Sequence, residues 1–148
     1  MKTNITGHVS VNIKAPVSKV WEGLTEPAVI KKWLYGANTK TDWKPGSPIT
    51  FEGVYEGKPY KDKGTIIDIR PQTYLQYTYW GSLSGMEDKP ENYVTLTFEL
   101  SGRNDQTTLK ITQENIPDEK MRKHAEDNWN KVLADLKNLL ERQKVSSL

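Results

Sequence analysis

Carboxylates and phenols are the side chains best equipped for chemistry in this chain, because cysteine is absent and histidine occurs only as His8 and His124, far apart in sequence. That inventory excludes disulfides, thiolate nucleophiles and thiolate metal sites, and leaves any metal to be held by carboxylates. We expect no cofactor and no transition metal. His8 falls among the polar positions of an alternating segment and His124 at the border of a helical stripe, so both read as surface or packing residues. Glu52 and Glu56 share one parity, opposite to Phe51 and Tyr55, and Val54 breaks the alternation. A bulge at Gly53 would turn one of these glutamates inward, beside Tyr77 or Tyr79, where burial would raise its pKa and equip it as an acid or base. Without the bulge both face solvent. The run Gly81-Ser82-Leu83-Ser84-Gly85 has the glycines of a nucleophile elbow, but Leu83 stands at the nucleophile position and no strand-turn-helix context surrounds it. No glycine-rich phosphate loop precedes a helix, and Gly102-Arg103-Asn104-Asp105 has the composition of a hairpin turn.

Aromatic residues give the stronger signal. Trp33, Phe51, Tyr55, Tyr77, Tyr79, Phe98 and Trp129 can all be placed on inward positions by alternation or helical phase. Inward aromatics usually make core, yet two phenols on one strand face, Tyr77 and Tyr79, need hydrogen-bond partners that a dry core does not supply. An apolar space with a few convergent polar tips is what a small-ligand site requires.

The elements that must position these residues follow from periodicity. Ile5, Gly7, Val9, Val11 and Ile13 alternate with polar residues over 5–14 as one strand. Pro16 opens a short helix with Val17, Val20, Trp21 and Leu24 on one face. Thr25 is placed to cap a second helix, with Pro27 in its first turn and Val29, Ile30, Trp33 and Leu34 inward. Turn residues then divide strands near 38–43, 48–56, 61–70, 73–80, 91–101 and 106–114, with short connections that imply antiparallel pairing. The segment from Gly81 to Asn92 is the longest connection without a pattern and reads as loop. Met121, Ala125, Trp129, Val132, Leu133, Leu136, Leu139 and Leu140 recur at helical spacing with no Gly or Pro between them, so a long amphipathic helix closes the chain and must lay its stripe on the sheet.

Composition sets the outer bounds. A chain of 148 residues is the size of one domain, with a core large enough to need no staples. Mean hydropathy is −0.73, and no apolar run approaches the roughly 18 residues that span a bilayer. No secretory signal is visible, and a cytoplasmic location with no membrane partner is expected. Net charge is +2 with well-mixed signs, and Lys31-Lys32 and the Lys58, Lys61, Lys63 group read as solvated surface and edge protection rather than a nucleic-acid stripe.

The order of elements resembles the α+β helix-grip fold of the START and birch-pollen-allergen-like proteins, a seven-stranded antiparallel sheet wrapped around a long C-terminal helix. Particular residues narrow the likeness. Ala15-Pro16, Val20-Trp21, Leu24-Thr25, Pro27, Ile30 and Trp33 resemble the opening motif of the family named for the activator of heat-shock protein 90 ATPase. Gly64-Thr65-Ile66, Ile69, Pro71, Leu75 and Tyr77 are similar to its central hairpin, and His124, Trp129, Leu133, Leu136 and Leu140 to its terminal helix. The likeness runs from about Ile5 to Glu141, mostly through packing positions, and departs from the family where Asn128 replaces the usual glycine before the helix tryptophan. The eukaryotic activator is similar to this chain only in its C-terminal domain, and its other domain has no counterpart here. The resemblance therefore implies a pocket protein. The expected function is binding of a small, largely apolar molecule between sheet and C-terminal helix, with Trp33, Phe51, Tyr55, Tyr77, Tyr79, Phe98 and Trp129 as its lining. Two alternatives stand beside it. One is a chaperone-docking or other protein-interaction module, the other a cyclase- or hydrolase-like enzyme using an inward carboxylate and tyrosine. Neither the oligomeric state nor the ligand's identity follows from the sequence.

Overall fold

The computed structural model describes residues 3–146, with side chains through residue 142. In chain order the elements are β1 (Gly7–Ile13), α1 (Val17–Thr25), α2 (Pro27–Trp33), β2 (Asn38–Thr41), β3 (Pro48–Tyr55), β4 (Lys58–Arg70), β5 (Tyr74–Tyr79), a 3-10 turn (Pro90–Asn92), β6 (Val94–Arg103), β7 (Gln106–Glu114) and α3 (Glu119–Ser146). The strands form one seven-stranded antiparallel sheet in the order β1-β7-β6-β5-β4-β3-β2. Consecutive strands from β2 to β7 are neighbours, and α1 and α2 carry the chain from one edge of the sheet to the other. No helix among the described residues is long and apolar enough to cross a membrane.

Alternation decides which face is covered. Leu75 and Tyr77 on β5, Leu96, Phe98 and Leu100 on β6, and Leu109 and Ile111 on β7 are buried on one face, while Thr95, Glu99 and Lys110 lie on the other. α3 lays Val132, Leu133, Leu136 and Leu140 into this face, all at 3% exposure or less. Met121, assigned by phase to the same stripe, is 42% exposed, because the first turn of α3 does not reach the buried face.

Two carboxylates fix α3 to the free edge of β1. Glu126 Oε2 accepts the His8 N–H at 2.9 Å and Glu141 Oε2 accepts the Lys14 N–H at 2.8 Å. The fit is metric: fifteen helical residues rise about 22 Å, and six strand residues about 20 Å, so a helix lying along the strand meets it at both ends. Lys137 completes the second contact, donating to the Asn12 carbonyl at 2.7 Å and to Glu141 at 2.6 Å. The Lys137 bond and the Lys14 N–H together hold the Glu141 carboxyl below the usual carboxylate range. At the same end Gly23 admits α3 against α1, since a Cβ there would lie 3.1 Å from Leu136 Cδ1.

Two local expectations are corrected. The N-cap of α2 is Glu26 without a side-chain bond, while Thr25 Oγ1 donates to the Trp21 carbonyl at 2.8 Å inside α1. β3 and β4 pair without interruption from Pro48↔Thr65 to Tyr55↔Lys58, so Gly53 is no bulge; the irregularity lies in β4 between Ile66 and Asp68. Gly53 instead makes room for its cross-strand partner Tyr60, whose Oη would lie 2.8 Å from a Cβ there. The segment before β6 folds into the 3-10 turn and is pinned by Trp80, which stacks on Tyr93 at 6.4 Å and donates its indole N–H to the Met86 carbonyl at 3.1 Å.

Gly64 carries the tightest approach in the sheet. Between the Ile66↔Tyr77 and Lys63↔Trp80 pairs the ladder opens, and the Thr65 N–H turns to Thr78 Oγ1 at 2.9 Å. The Thr78 carbonyl oxygen then sits 1.6 Å from where a Gly64 Cβ would be. Rigid backbone cannot yield as a side-chain tip can, so Gly64→Ala is expected to cost at least about 3 kcal/mol of stability in urea unfolding. A loss below about 1 kcal/mol would show that the two strands part easily here.

Candidate functional site

The buried face of β3, β5 and β6 forms the floor of a cavity. Ile49 and Phe51 come from β3, Leu75 and Tyr77 from β5, and Phe98 from β6. Register places them side by side, with Leu75 opposite Phe98 across the β5–β6 ladder. Leu24 of α1, Ile30 and Trp33 of α2, and Leu34 and Trp43 on either side of β2 form the cover, and Trp129 of α3 closes one side. The cavity volume is about 20 Å³, room for roughly one water molecule.

Ring contacts run without a break across this floor. Trp129 meets Phe98 edge-on at 5.9 Å, Phe98 stacks on Tyr77 at 5.5 Å, Tyr77 meets Phe51 at 5.9 Å, and Phe51 meets Tyr79 at 5.8 Å. These separations lie in the range where aromatic pairs attract beyond simple burial. Both indoles of the walls are oriented by hydrogen bonds: Trp33 Nε1 donates to the Gly23 carbonyl at 2.8 Å, and Trp129 Nε1 to Gln113 Oε1 at 2.9 Å. Tyr77 is different. It is 6% exposed, burial pushes its hydroxyl above the ordinary phenol value, and no hydrogen bond to that hydroxyl is found among the described residues. That hydroxyl keeps some accessible surface, since the buried side-chain polar atom without a partner among the described residues is Thr39 Oγ1 on β2, and it is the polar tip that the floor presents to an otherwise apolar cavity.

The residues assigned to the site from sequence divide into three groups. Trp33, Phe51, Tyr77, Phe98 and Trp129 line the cavity together. Tyr79 stands beyond the cavity on the same sheet face, its ring against Phe51 and its hydroxyl donating to Asp62 Oδ2. Tyr55 does not join them: it has the inward parity, but it ends β3, is 43% exposed, and packs edge-on against Tyr35 at 5.4 Å. The inward-glutamate expectation is also corrected. With no bulge at Gly53, Glu52 keeps the outer parity 4.0 Å from Lys40, and Glu56 lies in the exposed β3–β4 turn with φ 50°. The carboxylate that does face inward is Asp62, on the same parity of β4 as Gly64 and Ile66, a pattern legible in the sequence. Trp43 was missed for a different reason: the strand expected near 38–43 ends at Thr41, and Trp43 follows it with φ 56°, where strand alternation no longer applies.

His8 and His124 are both exposed, and no three of His, Asp and Glu are grouped among the described residues so as to hold a metal ion. Asn128, the departure from the family glycine, accepts a hydrogen bond from the Tyr35 hydroxyl at 2.7 Å and ties α3 to the segment that follows α2.

A curved antiparallel sheet gripping a long C-terminal helix, with an aromatic cavity between them, defines the helix-grip class. The family model described as Activator of Hsp90 ATPase homolog 1-like protein matches residues 14–141, and the chain belongs to that family. A solution structure from Cytophaga hutchinsonii is 42% identical, covers 99% of each chain and superimposes with a TM-score of 0.83. A crystal structure from Chromobacterium violaceum (23% identity, 92% of this chain and 96% of that one, TM-score 0.77) shares the fold. So does the Aha1 dimer of Colwellia psychrerythraea (20% identity, 93% and 96% covered, TM-score 0.73). Among curated proteins no relative is found.

Truncation separates the more buried lining residues from the less buried ones. Phe98 lines the cavity but is 2% exposed and held between the Tyr77 and Trp129 rings, so Phe98→Ala is expected to cost about 3–5 kcal/mol. Trp129 is only partly buried and has the cavity on one side, so Trp129→Ala is expected to cost less, about 1–2 kcal/mol. Urea unfolding of the two variants checks the order; equal losses would mean that Trp129 is packed as fully as Phe98.

Proposed function

We propose that this protein binds a small, largely apolar molecule between the sheet and α3, with aromatic rings against its body and the Tyr77 hydroxyl bonded to its one polar group. The observation that carries this reading is the unpartnered Tyr77 hydroxyl in a cavity otherwise walled by apolar and aromatic side chains. Because that hydroxyl remains accessible, water or the polar group of a ligand can bond to it, and a ligand that does so replaces the bond to water instead of losing it.

Binding needs more room than the cavity offers. Sites for organic ligands measure roughly 300–1,000 Å³, against about 20 Å³ here. The cover is the part built to yield. β2 is a four-residue edge strand paired only with β3, and the chain enters and leaves it through Tyr35 at φ 51° and Trp43 at φ 56°. Bulky residues rarely adopt that conformation, which stores on the order of 1 kcal/mol each. Lifting the 34–46 segment would release this strain and move Leu34 and Trp43 off the cavity while the sheet floor and α3 stay in place.

An uncharged fluorescent probe, phenylnaphthylamine, tests the reading directly. Saturable uptake with one site per chain, displaced by biphenyl, is the expected result. Absence of uptake at probe concentrations up to its solubility would exclude a ligand-accepting cavity.

A further inference from the structure

Tyr79 and Asp62 continue the cavity floor toward the open end of the sheet, and their chemistry is unlike that of the cavity. We propose that the Asp62–Tyr79 pair is the polar end of the binding site and selects molecules carrying a hydroxyl or amine donor at one end of an apolar body, while rejecting carboxylates. This rests on the apolar-ligand reading above and specifies the ligand class it admits.

Position is the first argument. Tyr77 and Tyr79 project from the same face of β5 two residues apart, about 7 Å along the strand. The ring of Phe51 touches both, at 5.9 and 5.8 Å, so an elongated molecule lying on Phe51 reaches from the Tyr77 hydroxyl to the Tyr79 hydroxyl without leaving aromatic surface. Asp62 reaches the same point from the neighbouring strand.

Construction is the second. Oδ2 of Asp62 accepts from the Tyr79 hydroxyl, and Oδ1 accepts from the Ser82 backbone N–H at 2.9 Å and the Ser82 hydroxyl at 3.4 Å. A backbone donor and a partly buried phenol hold the carboxylate in one orientation. A carboxylate has about four lone-pair positions, so these donors leave about one open. Among the described residues no ion pair reaches Asp62, although Lys61 and Lys63 flank it on the opposite parity and Lys63 is paired with Asp88. The group is thus a fixed, partly buried anion whose remaining capacity is for a donor. Burial and the Asp62 charge hold the Tyr79 hydroxyl well above the ordinary phenol value, so it stays a donor to Asp62 and presents its own oxygen as a second acceptor.

Access is the third. A Cβ built on Gly81 would lie 3.7 Å from Asp62 Oδ1 and 3.8 Å from the Tyr79 hydroxyl, so any side chain there would roof the pair. Gly81 is not among the residues with positive φ, so its backbone does not call for glycine; what glycine supplies is the opening.

A molecule without a donor would strip water from Asp62 and return nothing, and a carboxylate would add repulsion to that loss. Tryptophan-quenching titrations of the wild-type protein with biphenyl, 4-phenylphenol and 4-phenylbenzoate read this ranking. We expect 4-phenylphenol to bind about tenfold tighter than biphenyl and 4-phenylbenzoate to bind weakest. Asp62→Asn, which removes the charge whose lost hydration biphenyl cannot repay and whose repulsion 4-phenylbenzoate meets, should bring the three affinities together, chiefly by tightening biphenyl and 4-phenylbenzoate. Gly81→Ala, which leaves the pair intact but covers it, should erase the phenol preference even if the Asp62 variant fails to fold. Equal binding of biphenyl and 4-phenylphenol by the wild type, or a phenol preference that survives in Gly81→Ala, would overturn the role of the pair and leave the apolar cavity standing. Binding of none of the three would overturn both.

Discussion

An unbroken row of ring contacts from Trp129 through Phe98, Tyr77 and Phe51 to Tyr79 is the constraint on which the rest of this structure depends. Rings keep their separations only if the strands that carry them keep register, so β3, β5 and β6 must hold their inward parity over several residues. The close approach at Gly64 and the room at Gly53 are where that requirement is met by removing a side chain. Trp129 must also arrive from a helix, and the two carboxylates that fasten α3 to the edge of β1 set the height and direction at which it does. Packing in the fold and geometry in the site are the same fact.

The row divides the molecule by polarity. Toward α3 the rings are covered, the wall indoles are hydrogen-bonded, and the Tyr77 hydroxyl makes no hydrogen bond to the described residues. Toward the end of β5 the last ring is tied to a carboxylate and a serine. A molecule with an apolar body and a polar end matches this gradient. In the cover Tyr35 and Trp43 hold conformations that aromatic residues disfavour, while the other non-glycine residues with positive φ among those described, Glu56, Gln72, Asn104, Asp105 and Asn115, lie in connections outside the strands that carry the row of rings. The element that moves and the element that recognises are therefore different parts of the chain, which lets a ligand enter without disturbing the register that reads it.

Much of this was legible in the residues. Two-residue alternation along β5 and β6 and the helical phase of α3 put Tyr77, Phe98 and Trp129 on one face, because a half-buried strand and an amphipathic helix leave strong periodic signals. The sequence pattern weakened where the rule behind it stops applying. Tyr55 has the right parity, but β3 runs on past the covered part of the sheet, and parity carries no information on where cover ends. Met121 fails in the same way at the start of α3. A bulge at Gly53 was the condition for an inward Glu52 or Glu56; its role is to accept the Tyr60 ring, both glutamates stay outside, and the inward carboxylate is Asp62. Trp43 was placed within the strand expected near 38–43, but β2 ends at Thr41 and Trp43 reaches the cavity from the connection that follows.

The central claim is that the space walled by Trp33, Trp43 and Trp129 opens to take an apolar molecule. The chain has five tryptophans, three of them on that cavity, while Trp80 stacks on Tyr93 on the opposite face of the sheet. Indole N–H resonances in a nitrogen-15 correlation spectrum report on each separately. On titration with biphenyl the account predicts saturable shifts at Trp33, Trp43 and Trp129 and none at Trp80. A spectrum that does not change, or one in which Trp80 moves and the three cavity indoles do not, would contradict it.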